Sequence, residues 1–469
     1  MIFSSLSFLF FFFPLVFAGY MLVNINYANA WLLAASLFFY YAGAGEHICI
    51  LLGMIGVAYI SGILISILHT RNQKQIALTG SLCMMLGIMG YYKYWNFLIE
   101  NINMIFHKGY DTGTVLLPIG ISFFTFQAVS YVVDIYRGEK PLKNPIDLAL
   151  YISFFPQLIA GPIIRFHDIQ DYLGQSSRKF KMENLGTGLW RFCIGLCKKV
   201  LLANNLGILS DIVFGVRDVT QCSVLYIWLG VLAYTLQIYY DFSGYSDMAI
   251  GLGRIFGFAF RENFNYPYIA CSIHDFWRRW HISLSLFFRD YVYIPLGGNR
   301  CSSYRWVCNM MIVWGLTGLW HGASWNYIFW GLLYGSILIV ERLLLRKVSA
   351  TTSTASNVLR HVYTLTIVMI LWTIFRADTI LHAEQLVKAM FGAGARPFLD
   401  YAFIYQAGNF AVLLLLAIFF CRPLPGYFRN LSARREVSFL YTVILAVCVM
   451  ASVSYIYMGS YNPFLYFMF

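Results

Sequence analysis

The stretch DFSGYSDMAIG (Asp241–Gly251) begins the part of the chain that decides its fold and its chemistry. It is followed by NFNYPY (Asn263–Tyr268), HDFWRRWHISLS (His274–Ser285), FRDYVYIPLGGNR (Phe288–Arg300) and GLTGLWHGASWNYIFWG (Gly315–Gly331). Polar, titratable and aromatic residues are concentrated here, in a chain that is otherwise mostly apolar. Because polar groups at membrane depth are costly, they usually line a site or a water-filled path. We therefore interpret the rest of the chain as the walls of such a site.

The composition of the whole chain is that of a membrane protein. Of its 469 residues, 59% are hydrophobic and only 12% are charged, whereas a soluble domain carries about 25% charged residues. Mean hydropathy is +0.65. No hydrophilic stretch is long enough to form a separate folded domain, so we predict an all-α polytopic membrane protein with a single integral-membrane domain over residues 1–469.

The formal net charge of +12 has two interpretations. Basic proteins often bind nucleic acid, but no basic patch interleaved with aromatic residues stands out here. The favoured interpretation is that Lys and Arg hold the cytoplasmic loops inside, so we predict no nucleic-acid partner. Some of these cations could also contact the phosphates of an anionic co-substrate.

The ten cysteines are scattered along the chain. Cys193 and Cys197 lie four residues apart and share a helix face, but no metal-ligand pattern surrounds them. Buried cysteine usually behaves as a small hydrophobic residue. The sequence therefore predicts neither a metal site nor a disulfide framework.

Apolar runs near the length of a bilayer crossing recur along the chain. They lie at residues 3–24, 29–44, 48–68, 77–97, 114–134, 186–214, 223–252, 306–322, 324–345, 357–376, 402–421 and 437–457. The first is interpreted as a retained helix and not a signal peptide, because no charged residue precedes Phe3. The pattern predicts about eleven or twelve membrane crossings.

Three further segments are not simple crossings. Residues 148–165 contain two prolines and a glycine, which predicts a bent or broken helix. Residues 165–184 are polar and are expected to lie at the membrane surface. Residues 262–304 are too polar to cross and are expected to form interfacial or re-entrant helices, which are tolerated only when buried in protein or beside water.

The basic loops predict the orientation of the chain in the membrane. Arg71–Lys74, Arg137–Lys143 and Arg422–Arg435 should be cytoplasmic, because cytoplasmic loops carry an excess of Lys and Arg. This places the N-terminus and the tail Tyr461–Phe469 on the outer side.

The first candidate site residue is His281. If the motif around it forms one helix, His274, Arg278 and His281 recur at intervals that share a face. Asp275 and Arg279, four residues apart, could neutralise each other beside that face. An amphipathic surface helix explains the aromatic and Arg residues equally well, so His281 could be either functional or structural.

The second candidate is His321, which lies late in an apolar span with no charged residue within ten positions. Gly318 and Gly322 form a pair of small residues that allows a neighbouring helix to approach closely. A neutral imidazole can take a proton from a hydroxyl, and its unperturbed pKa of about 6.5 suits that role. A structural His bonded to a carbonyl is the alternative. We favour function, since an intramembrane ionisable group is by default a candidate for function.

Two carboxylates, Asp241 and Asp247, lie near Gly244 on what we expect to be one broken helix. They could orient His or Arg side chains, or form structural hydrogen bonds within the bundle, which we favour. The signatures of serine hydrolases, P-loop ATPases and Rossmann dehydrogenases are absent from the sequence.

Several long motifs resemble the membrane-bound O-acyltransferase superfamily, in particular its bacterial alginate O-acetyltransferase branch. The resemblance extends over nearly the whole chain. It rests on MIFSS at the start, LPIGISFFTFQAVSYVVDIYR (Leu117–Arg137), FFPQLIAGPI (Phe154–Ile163), the five motifs of the central stretch and NPFLYF (Asn462–Phe467).

The resemblance implies a ring of helices around a central funnel, with a narrow tunnel to a buried histidine. The family's central histidine corresponds to His321 and its second histidine to His281. It also implies acetyl-CoA as the cytoplasmic acyl donor, a periplasmic or membrane-anchored acetyltransferase as partner, and a place in the bacterial inner membrane. His321 is then expected to be the general base, while His281 orients the acceptor or polarises the thioester carbonyl.

Other functions remain open at this point. Teichoic-acid D-alanyl transfer proteins share the central motifs, and the final acceptor could be alginate, another exopolysaccharide, cellulose or peptidoglycan. A transporter of a lipid-linked sugar or small anion is the main alternative of another class, and a non-catalytic membrane scaffold is a third. A transport path would usually show more intramembrane charges than surround His321.

Overall fold

The computed structural model describes residues 1–111, 113, 115–159, 161–174, 178, 181–216, 218–345, 353–394, 396–423 and 435–462. The predicted outer tail beyond residue 462 and most of the predicted cytoplasmic loop 422–435 lie outside the described residues. Within the described ranges the chain is helical and contains no strand, which confirms the all-α prediction.

The α-helices are α1 (Phe13–Leu22), α2 (Ala28–Ala44), α3 (Ile48–Ile67), α4 (Arg71–Phe106), α5 (Ile121–Arg137), α6 (Pro145–Ser153), α7 (Phe155–Leu158), α8 (Phe166–Leu173), α9 (Met182–Cys197), α10 (Asn204–Phe214), α11 (Val224–Ile255), α12 (Ile273–Arg279), α13 (Ile282–Phe288), α14 (Ser303–His321), α15 (Trp325–Leu345), α16 (Thr354–Arg376), α17 (Ile380–Met390), α18 (Tyr401–Phe420) and α19 (Arg435–Tyr457). Short π-helical segments occur at Phe8–Phe12, Lys198–Ala203 and Arg289–Tyr293.

The apolar helices confirm a multi-pass membrane protein. Among the described residues, seven stretches are long and apolar enough to cross a bilayer. One of them, Ile25–Ile67, contains both α2 and α3. The first apolar helix, Phe8–Leu22, is shorter than a full crossing. The count of eleven or twelve crossings therefore stays a prediction.

The proline-containing segment is broken, as predicted. Helix α6 ends at Ser153 and the short α7 begins at Phe155, with Pro156 in its first turn. Proline has no backbone N–H and cannot continue the preceding helix. The polar segment that follows begins with the short helix α8.

The helices form two compact units. The first comprises residues 1–192 and 245–262. In it α3 and α4 pack against α5, and α2 packs against α6. Helix α5 is buried along almost its whole length. Its Ser130 hydroxyl lies 2.8 Å from the Tyr151 hydroxyl, which donates to the carbonyl of Ile164. These two buried hydroxyls are therefore satisfied by partners within this unit, as buried polar groups usually are.

Gly120 shows why a glycine is needed before α5. Its φ is +75°, a conformation that L-residues with a Cβ rarely adopt. A Cβ at this position would also lie 2.7 Å from the carbonyl oxygen of Leu158. The glycine of the LPIG motif therefore allows both the left-handed turn and the close backbone contact.

The second unit comprises residues 193–244 and 263–469. At its centre α14 and α15 pack against each other as an antiparallel hairpin. Gly318 lies where the backbone of α15 approaches closely, since a Cβ there would be 2.2 Å from the carbonyl oxygen of Tyr327. Gly331 of α15 makes the corresponding approach to α14, because a Cβ at Gly331 would lie 2.2 Å from the carbonyl oxygen of Trp314. The close packing predicted for Gly318 is thus confirmed.

One expectation about α11 is wrong. The helix is continuous from Val224 to Ile255 and is not broken at Gly244. The glycine instead permits close packing, because a Cβ there would lie 2.8 Å from the carbonyl oxygen of Gly195. Asp247, farther along α11, accepts hydrogen bonds from the Arg191 guanidinium at 2.9 and 3.1 Å within the first unit. This carboxylate has the structural role that we favoured.

The packing of α14 on α15 can be tested with Gly318→Ala. The added methyl group has no space beside the Tyr327 carbonyl, and overpacking of this kind costs about 1–3 kcal/mol. Gly315→Ala on the same helix is the matched control, because its Cβ would only touch Leu332 at 3.5 Å. We expect thermal unfolding in detergent to show a lower Tm for Gly318→Ala than for Gly315→Ala. Equal Tm values for the two variants would contradict the close packing.

Candidate active site

His281 lies at a sharp turn between two short helices. Helix α12 ends at Arg279, and His281 adopts a left-handed conformation with φ of +42° before α13 begins. The expectation that His281 shares a helix face with His274 and Arg278 is therefore wrong. The helix stops because another segment captures its backbone: Ile282 N–H donates to the carbonyl of Asn263 at 2.9 Å.

The conformation of His281 carries strain. A residue with a Cβ in the left-handed region costs on the order of 1–3 kcal/mol, and such residues cluster at functional sites. The side chain is also completely buried, with 0% of its surface exposed. A strained and buried polar residue at this turn favours the functional interpretation over a surface helix.

The Asn263 side chain holds the His281 ring. Its Oδ1 lies 3.2 Å from His281 Nδ1 and also accepts from the Ser283 backbone N–H and hydroxyl, at 3.1 and 2.9 Å. Burial lowers the pKa of His281 to about 3, because the charged form is poorly solvated there. The imidazole is therefore neutral at physiological pH.

Aromatic rings also pack against His281. Phe242 of α11 packs edge-on at 4.6 Å between centroids, and Phe264 lies roughly parallel at 6.4 Å. Trp320 of α14 completes this set at 5.9 Å. These rings exclude water from the imidazole and fix its orientation.

His321 is the last residue of α14 and is 8% exposed. Trp330 of α15 and Phe375 of α16 each meet its ring edge-on with centroids 5.1 Å apart. Three successive long helices thus converge on this imidazole. The surroundings are apolar and aromatic, as the sequence around His321 indicates.

The structure places the two candidate histidines, His281 and His321, against the same residue, Trp320. The Trp320 ring lies 4.9 Å from the ring of His321 and 5.9 Å from that of His281. The sequence gives no distance between positions 281 and 321, which lie on different elements. Their shared contact with Trp320 places both imidazoles in one region of the second unit.

A buried ion pair supports the wall behind His281. The Lys199 ammonium lies 2.7 Å from the Asp241 carboxylate, and the two side chains are 2% and 5% exposed. Lys199 belongs to the π-helical segment, and Asp241 precedes Phe242, which contacts the His281 ring. The pair therefore fixes the turn of α11 that carries this contact.

A cavity of about 280 Å³ lies in the same unit. It is lined by His274, Trp277, Arg278, Leu284, Ser285, Phe288, Arg289, Tyr293, Met310, Val313, Trp314, Thr317 and Leu338. Trp314 and Thr317 lie seven and four residues before His321 on α14, so they share its helix face. The cavity thus combines two arginines with an apolar wall that leads along α14 towards His321.

Sequence reasoning missed several of these residues. The sequence shows Asn263 only as part of a motif, because its hydrogen bond to His281 joins residues 18 positions apart. Phe375 and Trp330 look like ordinary aromatic residues of membrane helices. Their apolar sequence context carries no signal that distinguishes the wall of a site from a lipid-facing or core residue.

Comparison with known proteins assigns the chain to a family. The sequence profile of the membrane-bound O-acyltransferase family matches residues 142–381, which include His281 and His321. The chain belongs to the membrane-bound O-acyltransferase family. It is therefore an O-acyltransferase, which confirms the activity class that the motifs indicated.

Curated relatives span the length of the chain. A probable alginate O-acetylase of Pseudomonas putida is 37% identical, over 100% of both chains. One of Azotobacter vinelandii is 42% identical over 84% of this chain and 79% of its own. A peptidoglycan O-acetyltransferase of Helicobacter pylori is 32% identical over 100% of this chain and 98% of its own. Membership in this family favours acyl transfer over the transporter and scaffold alternatives.

The Lys199–Asp241 pair predicts a large stability loss when one partner is removed. Lys199→Met leaves a buried carboxylate without its counter-charge, and breaking a buried pair in this way costs about 3–5 kcal/mol. Replacing both residues, as in Lys199→Met with Asp241→Leu, should recover most of the loss. The measurement is thermal unfolding of the purified protein in detergent.

The matched control is Arg279→Met. This variant breaks the Arg279–Asp275 pair, whose side chains are 28% and 38% exposed at a distance of 3.0 Å. An exposed pair contributes about 0–1 kcal/mol. A Lys199→Met protein as stable as Arg279→Met would show that the buried pair does not hold α11 in place.

Proposed function

We propose that this O-acyltransferase moves an acetyl group from a cytoplasmic thioester donor, acetyl-CoA, across the bacterial inner membrane for O-acetylation of a polysaccharide such as alginate. The observation that carries the proposal is the convergence of two buried imidazoles on Trp320 within the family's matched region. The alginate O-acetylase names of the relatives support the acceptor class.

His321 is proposed as the general base. Its imidazole takes the proton of an acceptor hydroxyl as the hydroxyl oxygen attacks the thioester carbonyl. The carbon–sulfur bond then breaks, and the thiolate leaves and receives the proton, which gives the ester and free thiol. A positioned base contributes about a hundred- to ten-thousandfold in rate. The orientation imposed by the aromatic walls supplies a further part of the acceleration.

The cavity beside α14 is proposed to receive the donor. Arg278 supplies positive charge, which suits the phosphates of coenzyme A, whereas Arg289 is paired with the Asp290 carboxylate at 2.6 Å. Trp277, Trp314 and Leu284 supply an apolar wall for the uncharged arm that carries the thioester. Thr317 then lies one helical turn before His321, so a thioester reaching past it approaches the imidazole.

Peptidoglycan is a second candidate for the polymer that is acetylated. The Helicobacter pylori relative is named a peptidoglycan O-acetyltransferase and aligns with the whole of this chain. The proposed division of labour gives this membrane protein the transfer across the bilayer, and gives a periplasmic or membrane-anchored acetyltransferase partner the final choice of polymer. A deletion strain separates the candidates, because the loss of O-acetyl groups falls on one polymer and not on the other.

The base role predicts that both His321→Ala and His321→Gln lose acetyl transfer by about a hundredfold or more. Glutamine can form hydrogen bonds but cannot take a proton at neutral pH. Transfer is measured as the O-acetyl content of the polysaccharide in a complemented deletion strain at equal membrane levels. Purified variants should still bind radiolabelled acetyl-CoA.

His361→Gln is the matched control for this experiment. His361 lies on α16 and its Nδ1 is 3.0 Å from the carbonyl oxygen of Ala270, a structural contact away from Trp320. This variant should retain wild-type transfer. Substantial acetylation by His321→Gln would make His321 a positioning residue, and the absence of acetyl-CoA binding by the wild type would remove the proposed donor.

The proposed direction of transfer predicts the sidedness of the loops. A cysteine at Lys140, in the basic loop after α5, should not react with a membrane-impermeant thiol reagent in intact cells, because basic loops stay inside. A cysteine at Glu384, an exposed position of α17, should react. Labelling is compared with the background of the ten native cysteines. Reaction at position 140 in intact cells would reverse the proposed orientation.

A further inference from the structure

We propose that Asn263 is a positioning residue that holds His281 in the Nδ1–H tautomer, so that Nε2 serves as a hydrogen-bond acceptor for the hydroxyl of the acyl acceptor. The tautomer follows from the hydrogen-bond geometry and the burial of the described residues, independently of the proposed function. The identity of the group that donates to Nε2 rests on the function proposed above.

The orientation of the Asn263 amide is fixed by its neighbours. A backbone N–H can only donate, and that of Ser283 points at the amide from 3.1 Å. The atom it meets must therefore be the oxygen, because an NH₂ group there would place two donors face to face. The Ser283 hydroxyl also donates to this oxygen, at 2.9 Å. Asn263 Nδ2 has no hydrogen-bond partner among the described residues, so no bond favours the flipped amide.

The fixed amide oxygen in turn decides the tautomer of His281. It lies 3.2 Å from Nδ1 and can only accept, so Nδ1 must carry the hydrogen. A bare Nδ1 would set two lone pairs against each other. The Ser283 hydroxyl lies 3.4 Å from Nδ1, but its hydrogen is already directed to the closer Asn263 oxygen. Burial keeps the ring neutral, so the second nitrogen, Nε2, carries only a lone pair.

Nε2 is thus an acceptor without a donor. It is buried and has no hydrogen-bond partner among the described residues. Buried polar atoms are rarely left unsatisfied, and an atom left without a bond is explained when a ligand completes it. The strained turn at His281 and the hydrogen-bonded Asn263 fix this lone pair in position before any reactant arrives.

The tautomer distinguishes between the two roles considered for His281, which are to polarise the thioester carbonyl or to orient the acceptor hydroxyl. Polarising the thioester carbonyl requires a donor, and a neutral ring whose hydrogen lies on Nδ1 has none to offer from Nε2. Orienting a hydroxyl requires an acceptor, which Nε2 is. The acceptor hydroxyl is therefore the group that fits this nitrogen.

The first test measures the tautomer directly and needs no activity. In protein labelled with ¹⁵N-histidine, the His281 signals are assigned by their loss in His281→Gln. We expect a protonated Nδ1 and a bare Nε2 in the wild type. Ser283→Ala should keep this pattern, since it retains the backbone N–H that orients Asn263. A wild-type spectrum with the proton on Nε2 would overturn the assignment, whatever the protein catalyses.

The second test changes the partner of Nδ1 with Asn263→Asp. A carboxylate at this place favours the imidazolium and raises the pKa of His281, because opposite charges stabilise each other. Below the raised pKa, Nε2 carries a proton and can no longer accept. Acetyl transfer by the variant should therefore fall about tenfold for each pH unit below that pKa and recover above it, while acetyl-CoA binding is unchanged.

Phe242, Phe264, Trp320 and Ser283 pack against the His281 ring, and none of them titrates near neutral pH. His321 also packs against Trp320, but it is present in the variant and the wild type alike, so the difference between their pH profiles reports on the His281 ring. The nearest charged residue along α11 is Asp241, which precedes Phe242 and is paired with Lys199.

Asn265→Asp is the matched control. It adds the same charge two residues away, at an exposed position whose backbone N–H bonds to the carbonyl of Arg279. Its pH profile should match the wild type. A wild-type profile for Asn263→Asp, or an equal shift in Asn265→Asp, would overturn the positioning role. If the wild type transfers no acetyl group, the proposed function and the hydroxyl assignment fail together, while the spectrum still decides the tautomer.

Discussion

The structure depends on one constraint: a polar group buried away from water costs free energy unless it is hydrogen-bonded or paired. The Lys199 ammonium lies 2.7 Å from the Asp241 carboxylate. The side-chain amide oxygen of Asn263 lies 3.2 Å from Nδ1 of the His281 imidazole. Each of these bonds joins segments that are distant in sequence. These polar groups therefore hold particular remote segments together, although the apolar residues supply most of the buried surface.

The position of His321 follows from a second kind of contact, the close approach of two backbones. Without a Cβ at Gly318, the carbonyl of Tyr327 can lie directly against α14. This contact sets the register of α15, and with it the position of Trp330 against the imidazole. Glycine is unfavourable inside an isolated helix, so its use here reflects packing.

Sequence patterns predicted the helices and the two candidate histidines, because apolar runs and an isolated intramembrane His are visible without a structure. They failed where a distant partner overrides the local pattern. The motif around His281 has the spacing of a single helix, yet the carbonyl of Asn263 captures the N–H of Ile282 and the helix ends early. Gly244 suggested a break in α11, but it lies at a close helix contact instead. Hydrogen bonds between remote residues leave no periodic signal, so Asn263 could not be assigned a role from the sequence.

The burial of His281 fits the orienting role proposed for it better than the role of general base. A general base works best when its pKa lies near the operating pH, and burial lowers the pKa of His281 to about 3. At neutral pH this ring accepts a hydrogen bond readily but takes a proton only at a large cost. It can orient a hydroxyl and still leave the proton on oxygen. The transfer of that proton then requires another group near Trp320, and His321 is the imidazole that the fold places there.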